Sequence, residues 1–230
     1  MLFQSTFLAK ASGSLAGSVF SHNKGGMYMR SRSMPTNPNT LPQQAVRDAM
    51  RICVNAWTNV LTNTERDSWN LYAFNTPILN KIGLPTKRSG QNMFIRSNVS
   101  RLQAILPQVN TGPSTFDLGS FTPIDTPTAD ASSQLCGFNF TNADDWANDL
   151  AGAMLVYQSR PQNPTIDFFK GPWQLATIIA GSSMTPPTSP ASWTSLFPLV
   201  AGQKLFIKVR VTQPDGRLSD PQTIDKIVVP

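Results

Sequence analysis

One histidine, two cysteines and only 14% charged residues leave this 230-residue chain short of the side chains that most active sites use. A lone His22 excludes a zinc site built on histidines, and there is no CxxC pair. A Ser-His-Asp arrangement would have to use His22, which sits in a glycine-rich turn. The sequence has no GxSxG elbow, no phosphate-binding GxxxxGKS or GxxxxGKT loop and no GxGxxG after a strand. Cys53 and Cys136 fall one in each half and make no disulfide framework; both read as buried small hydrophobes. No run approaches the roughly 18 apolar residues of a membrane span. The short patch LFQSTFLA has its charge, Lys10, after it, whereas a signal peptide places the charge first. The expectation is a protein that is not an enzyme, with no metal and no cofactor.

An ordinary globular chain is about 25% charged. Here Asn, Gln, Ser and Thr supply the polarity instead, and nineteen prolines with fourteen glycines imply many turns and little long helix. That bias suits extracellular β-domains and virion components. The charge is also uneven. Met1–Asn110 carries twelve Lys/Arg against three Asp/Glu, and Thr111–Pro230 carries seven against ten. Such asymmetry marks units with different partners: a basic half suits nucleic acid, an acidic protein surface or lipid headgroups, or is simply a solvated surface.

The chain is organised around Gly13–Thr40, a stretch with no carboxylate; none occurs before Arg47. Met1–Lys10 reads as a short strand or an arm. Gly13–Phe20 alternates, with Leu15, Gly17 and Val19 on one face. SHNKGG is turn chemistry. Met27–Ser33 alternates again, which places Tyr28, Arg30 and Arg32 together and predicts a β-hairpin. Pro35 and Pro38 then hold an extended linker.

Thr40 and Gln43 have capping-box spacing and open a helix, with Val46, Met50, Cys53, Trp57 and Val60 or Leu61 as its apolar stripe and an end near Thr62. Arg47 and Arg51 lie one turn apart. Thr62 and Glu65 cap a second helix, and the two predict a helical hairpin with Trp57 and Trp69 in its core. The exit loop ends in Lys87 and Arg88. Ser89 caps a third helix with Phe94, Leu102 and Ile105 inward and Arg96 and Arg101 projecting elsewhere, stopped by Pro107. A unit this size buries a modest core, so help from neighbours is expected.

Thr111–Pro113 is the expected domain boundary. Beyond it, Gln134–Phe140, Ala151–Gln158, Gln174–Ala180, Lys204–Thr212 and Thr223–Val229 read as strands, with a first edge near Phe116 and Phe121. In Lys204–Thr212, Leu205, Ile207, Val209 and Val211 point inward, and Lys204, Lys208 and Arg210 outward. Pro214-Asp215-Gly216 is a hairpin turn. The sum is an α+β chain: an extended basic arm with a β-hairpin over 1–40, a helical unit over 41–110 and an antiparallel β-sandwich over 111–230. The ending KLFIKVRVTQPDGRLSDPQTIDKIVV resembles the last hairpin of fibronectin type III or immunoglobulin-like domains, which supports a fold class and no ligand.

Asp144, Asp145 and Asp149 are the nearest approach to a carboxylate cluster, but they lack the oxygen ladder and glycine turn of a calcium loop. They read as a solvated loop, and as the first place to look for a cation. Trp146, Trp173 and Trp193 sit near loops, as buried plugs or as exposed aromatics of the kind that bind sugars or proteins.

The order SGSLAGSVFSHNKGGMYMRSRSMPTNPNT, a Gln-containing helix, AWTNVLTNTERDSWNLYA and KRSGQNMFIRSN resembles a group of uncharacterised virion-associated proteins of tailed bacteriophages and prophages. The likeness runs from about Ala11 to Asn98. It implies a virion structural protein, made in the bacterial host cytoplasm, often followed by a β-sandwich, and it carries over no catalytic residues. The expected role is capsid cement, decoration or head–tail or tail connector. The expected partners are other virion proteins in a symmetric assembly, with no membrane. Partner binding is expected through Lys24, Tyr28, Arg30, Arg32, Arg47, Arg51, Lys87 and Arg88. The alternatives are a nucleic-acid-binding protein, with Tyr28 stacking and the arginines on phosphates, and a carbohydrate-binding surface module.

Overall fold

The computed structural model describes residues 11–23, 26–34, 36–79 and 83–230. Lys24 and the expected Met1–Lys10 arm lie outside them. The chain divides into two compact units, Met1–Leu41 and Pro42–Pro230.

The first unit is an antiparallel sheet of β1 (Gly13–Leu15), β2 (Ser18–Asn23) and β3 (Gly26–Ser31), in the order β1-β2-β3. Three strands replace the expected two. Ala16 adopts φ 48° and turns the chain back, so that Leu15 pairs with Ser18 and does not share a strand with Val19. The second hairpin pairs Val19 with Arg30 and Ser21 with Tyr28.

The second unit opens with α1 (Leu41–Asn55), which passes into a π-helical turn over Ala56–Val60, closed by Leu61 N–H donating to the Ala56 carbonyl at 2.9 Å. Of the expected stripe, Cys53 and Leu61 are buried and Trp57 packs against the core, with Ala49 and Ala56 buried beside them. Val46 and Met50, expected in the stripe, remain 41% and 43% exposed. α2 (Asn63–Asn75) starts at the predicted capping box, Thr62 Oγ1 accepting from Glu65 N–H and the Glu65 carboxylate accepting from Thr62 N–H at 2.8 Å. After the short pair β4 (Ile78–Leu79) and β5 (Pro85–Thr86), Ser89 caps α3 (Gly90–Gln103). Trp69, Tyr72, Met93 and Phe94 form the helical core, with Trp57 packed on Phe94 at 5.5 Å between ring centres. Ile105, expected inward, is turned out at φ 59° and is 89% exposed.

The strands that follow are β6 (Asp125–Ala129), β7 (Leu135–Asn139), β8 (Ala153–Gln158), β9 (Gln174–Ala180), β10 (Ala191–Thr194), β11 (Lys204–Thr212) and β12 (Gln222–Ile227). They make a three-stranded sheet, β10-β7-β6, and a four-stranded sheet, β12-β11-β8-β9, all antiparallel. One apolar cluster joins Ala129, Cys136, Phe138 and Trp193 of the smaller sheet to Met154, Val156, Leu205, Ile207, Val209 and Val211 of the larger. The predicted inward set of β11 is thus inside, but the expected outward set is not outside: Lys204 is buried and held by Asp167 at 3.0 Å, and Lys208 and Arg210 are half-buried, because loops cover the other face of the strand. The β11–β12 connection turns at Gly216, φ 93°. The first edge starts at Asp125, later than expected; Phe121 packs on the core from a loop. The architecture is α+β.

Helices and sheets share the second unit, and the Thr111–Pro113 stretch lies inside it. Its bonds are specific. Trp69 Nε1 donates to the Asn110 carbonyl at 2.7 Å, and the Tyr72 hydroxyl donates to the Asp117 carbonyl at 2.7 Å. Arg96 and Arg101, expected to project away from the inward face of α3, reach the backbone of other parts of the second unit. Arg101 is 1% exposed and donates to the carbonyls of Pro107, Ala151 and Gln213. Arg96 donates to the carbonyls of Leu218 and Ser219, beyond the end of β11. A guanidinium brings several donors on a long stem, so it can satisfy buried carbonyls from two elements at once.

Candidate interaction surface

Alternation on β3 places Tyr28 and Arg30 on one side of the N-terminal sheet, with Arg32 next in the same step. Arg32 N–H donates to the Gly17 carbonyl at 2.8 Å, which fixes the backbone at this end. Tyr28 is half-buried, and Arg30 and Arg32 are exposed. No described residue of Met1–Leu41 is buried, so among those residues the sheet has no core of its own.

In the second unit Arg47 and Arg51 lie on α1, both exposed. Arg51 pairs with Asp48 at 3.1 Å, with both side chains more than half exposed, so the pair contributes little to stability. Along α1 Val46, Met50 and Val54 recur at four-residue steps and stay exposed beside the buried Ala49 and Cys53.

Lys87 places its ammonium 3.4 Å from the centre of the Phe74 ring, a cation–π contact at the surface. Arg88, the next residue, stands at the mouth of an open cleft of about 440 Å³ lined by Ile78, Asn92, Met93, Ile95 and Arg96. The sequence reading missed all of these but Arg88. The spacing of Arg88, Asn92 and Arg96, four residues apart each time, was the available signal; the Ile78 wall comes from a strand pair that no local pattern announces. Burial, then the neighbouring Arg210, lowers Arg96 to about 10, so it remains a cation at neutral pH. Asp220, 3.7 Å away and well exposed, offsets part of its charge. Arg88 has no hydrogen bond or ion pair with any described residue.

Two of the three carboxylates near the 3-10 turn Asp145–Asn148, Asp144 and Asp149, hold local backbone and side-chain groups. Asp144 accepts from Thr122 N–H at 2.8 Å, from the Thr122 hydroxyl at 2.7 Å and from Trp146 Nε1 at 3.3 Å. Asp149 accepts from Ala151 N–H at 2.8 Å. Among the described residues no three His, Cys, Asp or Glu side chains converge as metal ligands. Trp146 and Trp193 are buried plugs, and Trp193 Nε1 donates to Gln158 Oε1 at 3.2 Å. Trp173 is half-buried, with the Lys208 ammonium 4.6 Å from its ring centre and 4.9 Å from that of Tyr157. Burial, then Arg210, lowers that ammonium to about 8. Of the three tryptophans considered for sugar binding, then, two are inside and one holds a lysine.

Comparison with family models, with curated proteins and with solved structures gave no match.

Proposed function

We propose that this chain is a non-enzymatic structural component of a tailed-bacteriophage virion, a cement, decoration or connector protein. On this reading it binds neighbouring subunits through its basic N-terminal sheet and its helical part. The observation that carries the reading is the N-terminal sheet itself. Three strands need an apolar face packed on something to be stable, and no described residue of this unit is buried. A small basic sheet with no core among its described residues gains stability on a partner, and the lack of acids in its sequence directs it to an acidic one. The exposed Val46, Met50 and Val54 of α1 add an apolar strip of the same kind.

The seven C-terminal strands support the finer reading of an immunoglobulin-like or fibronectin type III-like sandwich. Two antiparallel sheets of three and four strands face one apolar cluster, and the strand orders require crossings between sheets. A small sandwich is a rigid body, and repetition around a symmetric particle multiplies weak contacts.

The test is charge reversal of Arg30 and Arg32 together, with incorporation into particles as the readout. The proposal expects loss of incorporation with a folded second unit. Unchanged incorporation argues against the anchor. Steeply salt-dependent DNA binding by the wild-type chain would favour the nucleic-acid alternative.

A further inference from the structure

We infer that the Arg88 cleft is a socket for a second copy of this chain, and that its occupant is the exposed acidic loop Asp145–Leu150. The inference rests on the assembly reading above and names one partner within it.

The socket side is cationic with an apolar wall. Arg88 is exposed at the mouth without a partner among the described residues, and Arg96 lies deeper as a half-shielded charge. Asn92 adds an amide, and the first turn of α3 contributes the positive end of its dipole. Ile78, Met93 and Ile95 make the rest of the lining. Among the described residues that line it there is no aromatic ring on which a base would stack, which separates this cleft from a single-strand nucleic-acid groove. It fits a carboxylate with an apolar neighbour.

The loop side has that composition. Asp145 and Asp149 are exposed and make no ion pair with any described residue, and Leu150 beside them is 74% exposed. The loop is held in shape by Asp144 on Thr122 and by Asn148 Nδ2, which donates to the Asn142 carbonyl at 2.9 Å. A shaped acidic knob with an apolar tip meets a cationic cleft with an apolar wall. Because socket and knob are different surfaces, the contact is heterologous and propagates head to tail, closing into a ring or growing into a filament. The opposite charge surpluses of the two halves of the chain favour the same polarity.

The test uses the full chain in sedimentation velocity across concentration and salt. The wild type is expected to self-associate at low salt and to dissociate as salt rises. Arg88→Glu and Asp149→Lys each remove that association. Mixed in equal amounts, the two variants recover association, since the intact socket of one meets the intact knob of the other. The double variant, Arg88→Glu with Asp149→Lys, recovers association through the swapped charges. Both positions are exposed, and circular dichroism checks that each variant is folded. A wild type that stays monomeric at low salt overturns the inference, as does association untouched by either reversal or loss in both without recovery in the mixture. A monomeric chain that is still incorporated into virions refutes the self-contact alone. A self-associating chain absent from virions refutes the assembly reading alone.

Discussion

Arg101 Nη1 donates to the backbone carbonyl of Gln213 at 2.8 Å, a bond between residues 112 positions apart that ties α3 to the end of β11. The same guanidinium reaches Ala151 and Pro107, so one side chain satisfies carbonyls from three parts of the second unit. Its burial lowers its pKa, but an arginine keeps its charge in any ordinary buffer.

Replacing Arg101 by Met keeps the stem and removes every donor. Three carbonyls are then left without this partner, and the loss is expected to destabilise the second unit by about 3–5 kcal/mol. Arg101→Lys recovers only part of it, because one ammonium cannot reproduce the planar fork. Urea unfolding checks both; a midpoint unchanged in Arg101→Met would contradict the role.

Gly181 follows β9 where it passes the 3-10 turn. A Cβ built there would lie 2.0 Å from the Trp146 carbonyl oxygen and 2.4 Å from that of Asp149, both backbone atoms. Gly181→Ala therefore forces the turn away from the sheet, with an expected cost of about 3 kcal/mol or more. Gly17, with nothing within 4 Å of its added Cβ, is the control, and Gly17→Ala is expected to stay within about 0.5 kcal/mol.

Cys53 and Cys136 are free and buried, and burial raises both thiols from 9.0 to about 11. Neither is expected to react with a thiol reagent at pH 8 until the chain unfolds. The pH dependence has a definite sign. Above pH 9 the unfolded chain sheds these protons while the folded chain retains them, so the unfolded state binds fewer protons and stability falls as pH rises from about 9 to about 11. Below pH 9 the thiols contribute no slope. The Cys53→Ala, Cys136→Ala pair removes this part of the alkaline slope, measured by denaturant unfolding at a series of pH values.

Short-range features were legible in the sequence. The Thr62–Glu65 capping box, the inward set Leu205, Ile207, Val209 and Val211 and the Gly216 turn each depend on neighbours a few residues away, and each forms as expected. The α3 pattern turns Arg96 and Arg101 away from the inward face and names no partner for either. The carbonyls that hold Arg96 are 122 and 123 positions distant, and no local pattern points to them. The first half of the α1 stripe differs: periodicity ranks Val46 and Met50 above Ala49 by hydrophobicity, whereas Ala49 takes the inside there, and Cys53 and Leu61 further along are buried as expected. At the candidate site, Arg88 was visible as a charge, and its cleft became visible only once β4 was placed beside α3.

The basic sheet carries its own prediction. Arg30→Glu or Arg32→Glu alone is expected to weaken binding to the partner particle about 5- to 100-fold, in line with a few kcal/mol at most for a charge at an interface. The double reversal is expected to abolish it. Neither change is expected to alter the unfolding midpoint of the second unit, since both residues are exposed in the first.

The central claim is that this chain is a building part of a particle. Quantitative mass spectrometry of purified virions from the phage or prophage that encodes it tests the claim most directly. The account predicts a fixed copy number per particle, hundreds for a capsid or tail-tube position and about a dozen or fewer for a connector or tail tip. Absence of the chain from purified particles would contradict it and bring nucleic-acid binding by the basic half to the front.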